Sequence, residues 1–400
     1  MMVKYAFRNI LRNKKRSFLT ILAIFFAAVI VMMSQGMITG MLDYFLKNYV
    51  NFQTGNIRIT TEEFVKRERF MPVDSLVYGS DELIAQIAGI EGVDHVNERI
   101  RFGILLSYKD NTVESLGMGV NLLTNEFKIG EKLIAGTLEN SGLYIGVSLA
   151  KKLGVELGYE LLMATKTSEG GLNAIKLPVK GIFKTTIDMF DANVFFLSST
   201  DAKRLLKVVD ATTEIYVFTK KTDMTEKVQE EIKKILPPGV VAKNYKETMG
   251  ALFSLFDQMR VIWVFAEAII LFLASFVIIN TMMMAIFERM QEIGTLKAVG
   301  MTRRDLFANF TLEGAYMGII GGVLGTIVGF IAISVIGAVG LDFGDVYKGM
   351  EFPIESVLRV ETKASDFLIS LMVSIFIPPL AAMIPAKYAG NLTPVEALRK

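Results

Sequence analysis

The sequence predicts an α-helical membrane protein: four transmembrane helices, with a large α+β extracytoplasmic domain between the first and second. Three observations lead there. Hydrophobic residues make up 52% of the 400 and mean hydropathy is +0.43, above the roughly 45–50% apolar usage of soluble domains. Those residues gather in four nearly uncharged runs, 17–42, 261–287, 314–341 and 367–386, each able to supply the roughly 20 residues that cross about 30 Å of hydrocarbon. Between the first two runs lies a mixed polar segment of roughly 215 residues, room for one or two folded domains.

Taken in order, residues 1–16 place Ala6, Phe7, Ile10 and Leu11 on one helical face and Arg8, Arg12 and Lys15 on the other. That is an interfacial elbow helix with its bases toward anionic headgroups, or else a disordered basic leader. Residues 17–50 are the first membrane helix and its outward extension; the run exceeds the about 7–15 residues of a signal-peptide core and no small-residue cleavage site follows it. Lys4, Arg8, Arg12, Lys14, Lys15 and Arg16 put the amino-terminal side in the cytoplasm by the positive-inside rule. Four crossings return Lys387, Arg399 and Lys400 to that side, so both termini are expected to be cytoplasmic and the insert extracytoplasmic. DYFLKNYVNF continues the helix toward Thr54-Gly55.

Within 51–244, strands (GNIRIT, VNERIRFGILLSYKD as a strand pair or one long strand, ESLGMGVN, LYIG entering the helix after it, YELLMATKT, IKLPVKGIFKT, TEIYVFTK) interleave with helices (DELIAQIAG, VSLAKKLG, DAKRLLKVV, TEKVQEEIKKIL), the pattern of an α+β domain, with one or two subdomains. Residues 245–287 return to the membrane. Met249, Leu252, Phe253, Phe256 and Met259 form a helical stripe leading into the second span, and with the first helix this would make a stalk beneath the domain. The third span, 306–341, carries Gly314, Gly318, Gly321, Gly322, Gly325 and Gly329; spacing by four gives a flat face for close helix packing, against this chain or another. Residues 342–365 form an outer loop. The fourth span, 366–386, contains Pro378-Pro379, which predicts a kink, and 387–400 is a cytoplasmic tail.

The segment 288–305, ERMQEIGTLKAVGMTRRD, is too long and too charged for a plain turn. Ile293, Leu296 and Val299 form an apolar ridge flanked by Glu288, Glu292 and Lys297. Gly300 suits the position just past a helix end, and Thr302 with Asp305 resembles a capping box for the next helix. A short helix with fixed ends and an amphipathic face suits docking into a partner's groove; the alternative is an interfacial helix that only closes the bundle. Self-contained chemistry finds no support. Cysteine is absent, His95 is the only histidine, and neither H-E-x-x-H nor G-x-x-x-x-G-K-[ST] occurs. Glu267, inside the second span, is the outlier, because a carboxylate at mid-span costs on the order of 2.5–3.5 kcal/mol on insertion scales; it either reaches the outer interface beside Arg260 or makes a polar contact.

ERMQEIGTLKAVGMTRRDLF, FTLEGAYMGIIGGVLG and IPAKYAGNLTPVEALRK, with AFRNILRNKKRSFLTILAI near the start and YIGVSLAKKLGVELGYELLMAT and VKGIFKTTIDMFDANVFF in the insert, resemble the FtsX/MacB/LolCDE superfamily of ABC transporter permeases, in order along the chain. The resemblance implies a MacB-like periplasmic core for the insert. It also implies a non-catalytic inner-membrane subunit, with residues 288–299, Gly294 among them, as the coupling helix to a cytoplasmic ATPase. ATP and Mg would be bound by that ATPase and not by this chain.

Without an ATPase segment, with four spans and a large insert, the chain most resembles the lipoprotein-releasing permeases LolC and LolE. That implies a LolD-like ATPase, a second permease subunit (identical or LolC/LolE-like), a lipoprotein substrate and a periplasmic carrier, with no nucleic acid. A MacB-like exporter of small molecules or peptides with a periplasmic adaptor, and an FtsX-like transmitter that activates a cell-wall hydrolase, are the alternatives. A substrate chamber would be lined by Met33 and Met37 with neighbouring Phe25, Phe26 and Met32, and by Trp263, Phe265, Glu267, Phe272 and Phe276; lipid-facing stripes look the same. The loop 166–175, KTSEGGLNAI, is either a carrier-recruiting hairpin or a plain turn.

Overall fold

A computed structural model of the chain describes residues 8–9, 12, 14–124, 127–185, 188–342, 357–358, 360 and 362–398. The elbow's apolar face, Ala6, Phe7, Ile10 and Leu11, lies outside the described residues, as do most of the outer loop 342–365 and Arg399 and Lys400. Two compact units emerge: Met1–Tyr44, Leu255–Leu341 and Leu358–Lys400 form one, and Phe45–Ser254 with Asp342–Val357 the other.

The first unit is a helical bundle. Its four long helices, Lys14–Tyr49, Ala251–Glu288, Arg303–Val339 and Ala364–Asn391, are each apolar enough to cross a membrane. The third is the keystone, because its glycines form two rows facing two different neighbours. Gly314, Gly318 and Gly322 lie against the fourth helix: a methyl at Gly318 would fall 3.0 Å from Pro378 Cβ, one at Gly322 2.9 Å from Ser374 Cβ, and one at Gly314 would strike Ala382. Gly321, Gly325 and Gly329 lie against the first helix, where methyls would meet Ile24 at 3.0 Å, Ala28 at 2.7 Å and Met32 at 2.8 Å. Both neighbours belong to the same chain. In lipid, where apolar contact with a neighbouring helix offers no gain over contact with acyl chains, such close approach supplies the packing energy. The fourth helix is assigned without interruption through Pro378, Pro379 and Pro385.

In the second unit the first helix does not stop at Tyr49. It ends in a π turn, Val50–Thr54, whose last carbonyls are captured: Arg99 Nη1 donates to Phe52 O at 2.6 Å and Tyr216 Oη to Gln53 O at 2.6 Å. A cation at a helix carboxyl end meets the partial negative charge there.

The strands are β1 (Ile57–Thr61), β2 (Val77–Tyr78), β3 (Val93–Tyr108), β4 (Asn111–Val120), β5 (Leu133–Gly136), β6 (Leu143–Gly146), β7 (Glu160–Lys166), β8 (Leu172–Phe183), β9 (Val194–Ser198), β10 (Ala211–Thr212), β11 (Glu214–Thr219) and β12 (Val240–Asn244). Ten of them form one mixed sheet in the order β12-β1-β11-β3-β4-β9-β6-β8-β5, with β7 on β3 and β8. The long strand β3 serves two lobes. Its first half pairs with β11 (Asn97↔Tyr216) and its second half with β4 (Ile104↔Ser115). One lobe buries Ile57, Ile59, Leu83, Ile87, Val217, Val228 and Ile232 under helices Ser80–Ala88 and Thr225–Ile235. The other buries Phe102, Leu106, Leu149, Leu153, Phe195 and Leu205 under helices Val147–Leu153 and Ser199–Leu206. Two lobes thus share one sheet, and a third buried cluster, with Phe52, Phe127, Tyr144, Phe183 and Phe196, packs beside them.

One expectation needs correction and one open alternative can be described. The stretch 245–287 is not one helix: Tyr245–Met249 is capped by an Asn244–Glu247 box and closed by Gly250 at φ 45°, ψ −110°, and the second membrane helix starts afresh at Ala251. Only glycine holds a backbone like that cheaply. Met249 is buried in the outer domain, while Leu255 and Met259 beyond the break are exposed, so the stripe is divided between two elements. The loop 166–175 is a hairpin turn between β7 and β8, tied down by Ser168 N donating to Leu206 O at 3.2 Å and Asn173 Nδ2 to Leu205 O at 2.8 Å.

Candidate functional site

The second membrane helix ends at Glu288 because Arg289 leaves helical geometry at φ −103°, ψ 18°. A separate helix, Met290–Ala298, follows. Its end is a Schellman motif: Gly300 N donates to Lys297 O and Met301 N to Leu296 O, each at 3.0 Å, with Gly300 at φ +107°. Two residues on, Thr302 N donates to Asp305 Oδ2 at 3.0 Å and Asp305 N to Thr302 Oγ1 at 3.2 Å, starting the third membrane helix. Local chemistry therefore pins the short helix at its carboxyl-terminal junction, while at the other end the single residue Arg289 joins it to the second membrane helix.

Its faces are not arranged as the ridge predicted. Ile293 is only 3% exposed and packs with Met290, Leu306, Ala386, Ala389, Leu392 and Ala397 of this chain. Gly294 is buried beside it and Leu296 is half-buried. Val299 is 84% exposed, with Gln291, Thr295, Ala298 and Gly300 also open. Ile293 is thus removed from any docking face. Its spacing from Val299 is helical only in sequence, because the helix ends before Val299 and the chain turns there. Lys297 faces inward too: its Nζ donates to Gly390 O at 2.7 Å and to Leu392 O, covering the last carbonyls of the fourth helix. Burial, then Arg303, holds the Lys297 ammonium below the usual lysine range.

Glu288, the last residue of the second membrane helix, and Glu292, in the first turn of the short one, pair with the chain's amino-terminal bases, Glu288 with Arg16 and Glu292 with Arg12. Arg289, nearly buried, links Glu292 (3.4 Å) to Glu313 (3.6 Å) on the third helix, and Glu313 accepts from Asn9 Nδ2 at 2.7 Å. A cavity of about 30 Å³ beside Arg16, Thr20, Arg289 and Glu313 has room for one water. Arg12 was expected to face headgroups; it faces a carboxylate. Glu313 and Arg289 escaped sequence reasoning, although a carboxylate at the rim of an apolar run is the signal that singled out Glu267.

The chamber residues are scattered. Glu267, 8% exposed, accepts from Gln35 Nε2 of the first helix at 2.6 Å, so it makes a polar contact between helices. Phe265 and Phe272, 67% and 69% exposed, and Trp263 lie on the open surface of the second helix. Met33 and Met37 are half-buried. His95 is an exposed strand residue stacked on Phe218.

Comparison with known proteins gives the frame. Residues 264–394 match the FtsX-like permease C-terminal family and residues 17–235 the MacB-like periplasmic core domain. An uncharacterized ABC transporter permease of Methanocaldococcus jannaschii is 26% identical over 417 aligned residues, spanning 99% of this chain and 97% of the relative. The lipoprotein-releasing system transmembrane protein LolC of Buchnera aphidicola is 23% identical over 77% of this chain and 78% of its own length. The crystal structure of the periplasmic region of MacB from Actinobacillus actinomycetemcomitans aligns over 52% of this chain and 96% of that one, at 12% identity and a TM-score of 0.37. The chain belongs to the ABC transporter permeases with a MacB-like periplasmic core and an FtsX-like carboxyl-terminal domain.

Proposed function

We propose that this permease is the non-catalytic membrane subunit through which a separate cytoplasmic ATPase, holding the ATP and Mg, moves the outer domain. Both termini and the helix Met290–Ala298 then lie in the cytoplasm. One observation carries the reading: a short helix, one residue from the second membrane helix and closed by a Schellman motif before the third, leaves Thr295 and the following Val299 exposed. A push on such an element is not absorbed by a flexible loop. The test is Val299→Asp, whose buried charge would oppose seating in an apolar groove. Copurification with the ATPase and stimulated ATP hydrolysis should be lost while the bundle still inserts; normal turnover would refute the assignment. Ile293→Asp is not a usable test, because Ile293 holds the bundle itself.

For cargo, the reading is a lipoprotein released from the membrane with a second permease subunit and a periplasmic carrier. Support comes from the extent of the similarity to LolC and from the open aromatic surface of the second helix. Extracting acyl chains opposes about 0.8 kcal/mol per buried methylene, so the work must come from ATP. A photo-crosslinker at Phe265 or Phe272 should capture acylated protein and release it on ATP addition. Met372 and Phe376, exposed on the fourth helix, are the lipid-facing controls; Ser374, buried against Gly322, is unsuitable. Equal labelling at both places would reduce the result to bilayer contact. No acylated adduct from an active complex would favour export of small molecules or peptides, the reading that the MacB-like core also suits, or an FtsX-like signalling role.

A further inference from the structure

The ion pairs around the short helix form a continuous path. Asn9 Nδ2 donates to Glu313, Glu313 faces Arg289, Arg289 reaches Glu292, and Glu292 pairs with Arg12. One turn beyond, Arg16 at the base of the first membrane helix pairs with Glu288. The two ends of this path differ in character. Arg289 and Glu313 are buried, and separating them would strand a charge away from water. Arg12, Glu292 and Glu288 are exposed, and such pairs contribute little to stability. Yet they tie the amino-terminal residues Arg12 and Arg16 to the amino-terminal end of the helix Met290–Ala298 and to the last residue of the second membrane helix.

We infer that Arg12 and Arg16 are positioning residues that bind the base of the first membrane helix to the short helix, so that the two move together when the ATPase pushes. The inference rests on the docking reading above. Its physical content is directional. The first membrane helix is unbroken from Lys14 to Tyr49, so a displacement applied at Arg16 travels along a rigid element. The second helix receives the same push at Glu288, through its own backbone. One input thereby drives two helices, and the ion pairs set whether the first follows.

The chain has no cysteine, which makes a direct test clean. In proteoliposomes containing the complex with its ATPase, Met37→Cys reports on the first helix through its maleimide labelling rate with and without Mg·ATP. Arg12→Glu with Arg16→Glu should cut the ATP-induced change roughly 3- to 30-fold, the range for substitutions along a coupling path, with melting temperature unchanged. Adding Glu288→Arg and Glu292→Arg should restore it. An undiminished response in the double reversal, or failure of the quadruple variant to restore it at unchanged melting temperature, overturns the lock.

A second arm covers misfolding. Arg12→Cys and Glu292→Cys, bridged by a reversible bis-thiosulfonate, should keep the response; loss on bridging and recovery on reduction would mean that the contact must open, and refutes joint movement. Val299→Asp separates the two claims. If it leaves the ATP response intact, docking has failed; if it abolishes the response while charge reversal does not, only the lock has failed.

Discussion

The outer domain and the bundle each contain a network of arginines and glutamates, and the two are built from the same side chains to different ends. In the outer domain, Arg58 of β1 and Arg101 of β3 close on Glu214 of β11, which is fully buried; Arg101 Nη2 donates to Glu214 Oε1 at 2.8 Å. Glu68 completes the set at 2.8 Å from Arg58 and 2.9 Å from Arg101, and Phe64 lies under both guanidinium groups. Burial disfavours the charged form of Arg101, but Glu214 more than offsets this and holds its proton tighter than usual. The bundle network has a buried Arg289–Glu313 centre and a rim of Arg12, Glu288 and Glu292, with Arg16 half-buried between. In the outer domain Arg58, Arg101 and Glu214 are all buried, with only Glu68 of this set partly open, and they fix the register of three strands; the exposed pairs of the bundle can be rearranged at little cost. Rigidity in the bundle falls instead to the glycine rows.

Breaking the buried centre of the outer network should have the largest effect. Glu214→Ala leaves two buried cations without their carboxylate, and the expected loss is about 3–5 kcal/mol, read as thermal unfolding of the outer domain by limited proteolysis of the full chain. A loss no larger than that of an exposed pair, roughly 0–1 kcal/mol, would erase the contrast. Overpacking the bundle comes next. Gly325→Ala puts a methyl 2.7 Å from Ala28 Cβ, and the expected cost is about 1–3 kcal/mol, measured as the melting temperature in detergent. A neutral outcome would show that the first and third helices can separate without penalty.

The smallest effect is a pH dependence. Burial raises the Glu68 carboxyl, but Arg58 and then Arg101 bring it below the ordinary value of 4.5. A depressed folded value means that its contribution is present above the unfolded pKa and is lost as pH falls through the lower folded one. Stability of the outer domain should therefore decline below the usual carboxylate range, and the slope there should flatten in Glu68→Gln. An identical slope in the variant would place the titration elsewhere.

Much of this organisation was legible because its causes are local. Thr302 and Asp305 are three residues apart, and Gly300 lies just past a helix whose end it shapes, so turn chemistry announced both. The residues of β3 read as extended, but whether they form one long strand or a pair was settled only by its partners β11 and β4. Strand β12 and the break at Gly250 were missed: the first is too short for a periodic signal, and the second sits inside an amphipathic stripe that reads as continuous. Gly36 and Gly40 repeat the spacing of the third helix and lie against Ile333 and Val360, yet passed unremarked among bulkier neighbours.

By itself, then, the sequence determined the four spans, the strand–helix alternation of the insert and the pinned helix between the second and third spans. Each depends on hydrophobic run length, periodicity or capping within a few residues. Only the tertiary structure decided that Ile293 turns inward while Val299 stays open, that the two glycine rows face different helices of the same chain, and that Arg12 and Arg16 meet Glu292 and Glu288. The reason is physical. In a membrane, lipid is as apolar as a neighbouring helix, so hydrophobicity cannot say which face is covered. An ion pair across some 280 residues (Arg12 to Glu292) leaves no mark in the local sequence of either partner.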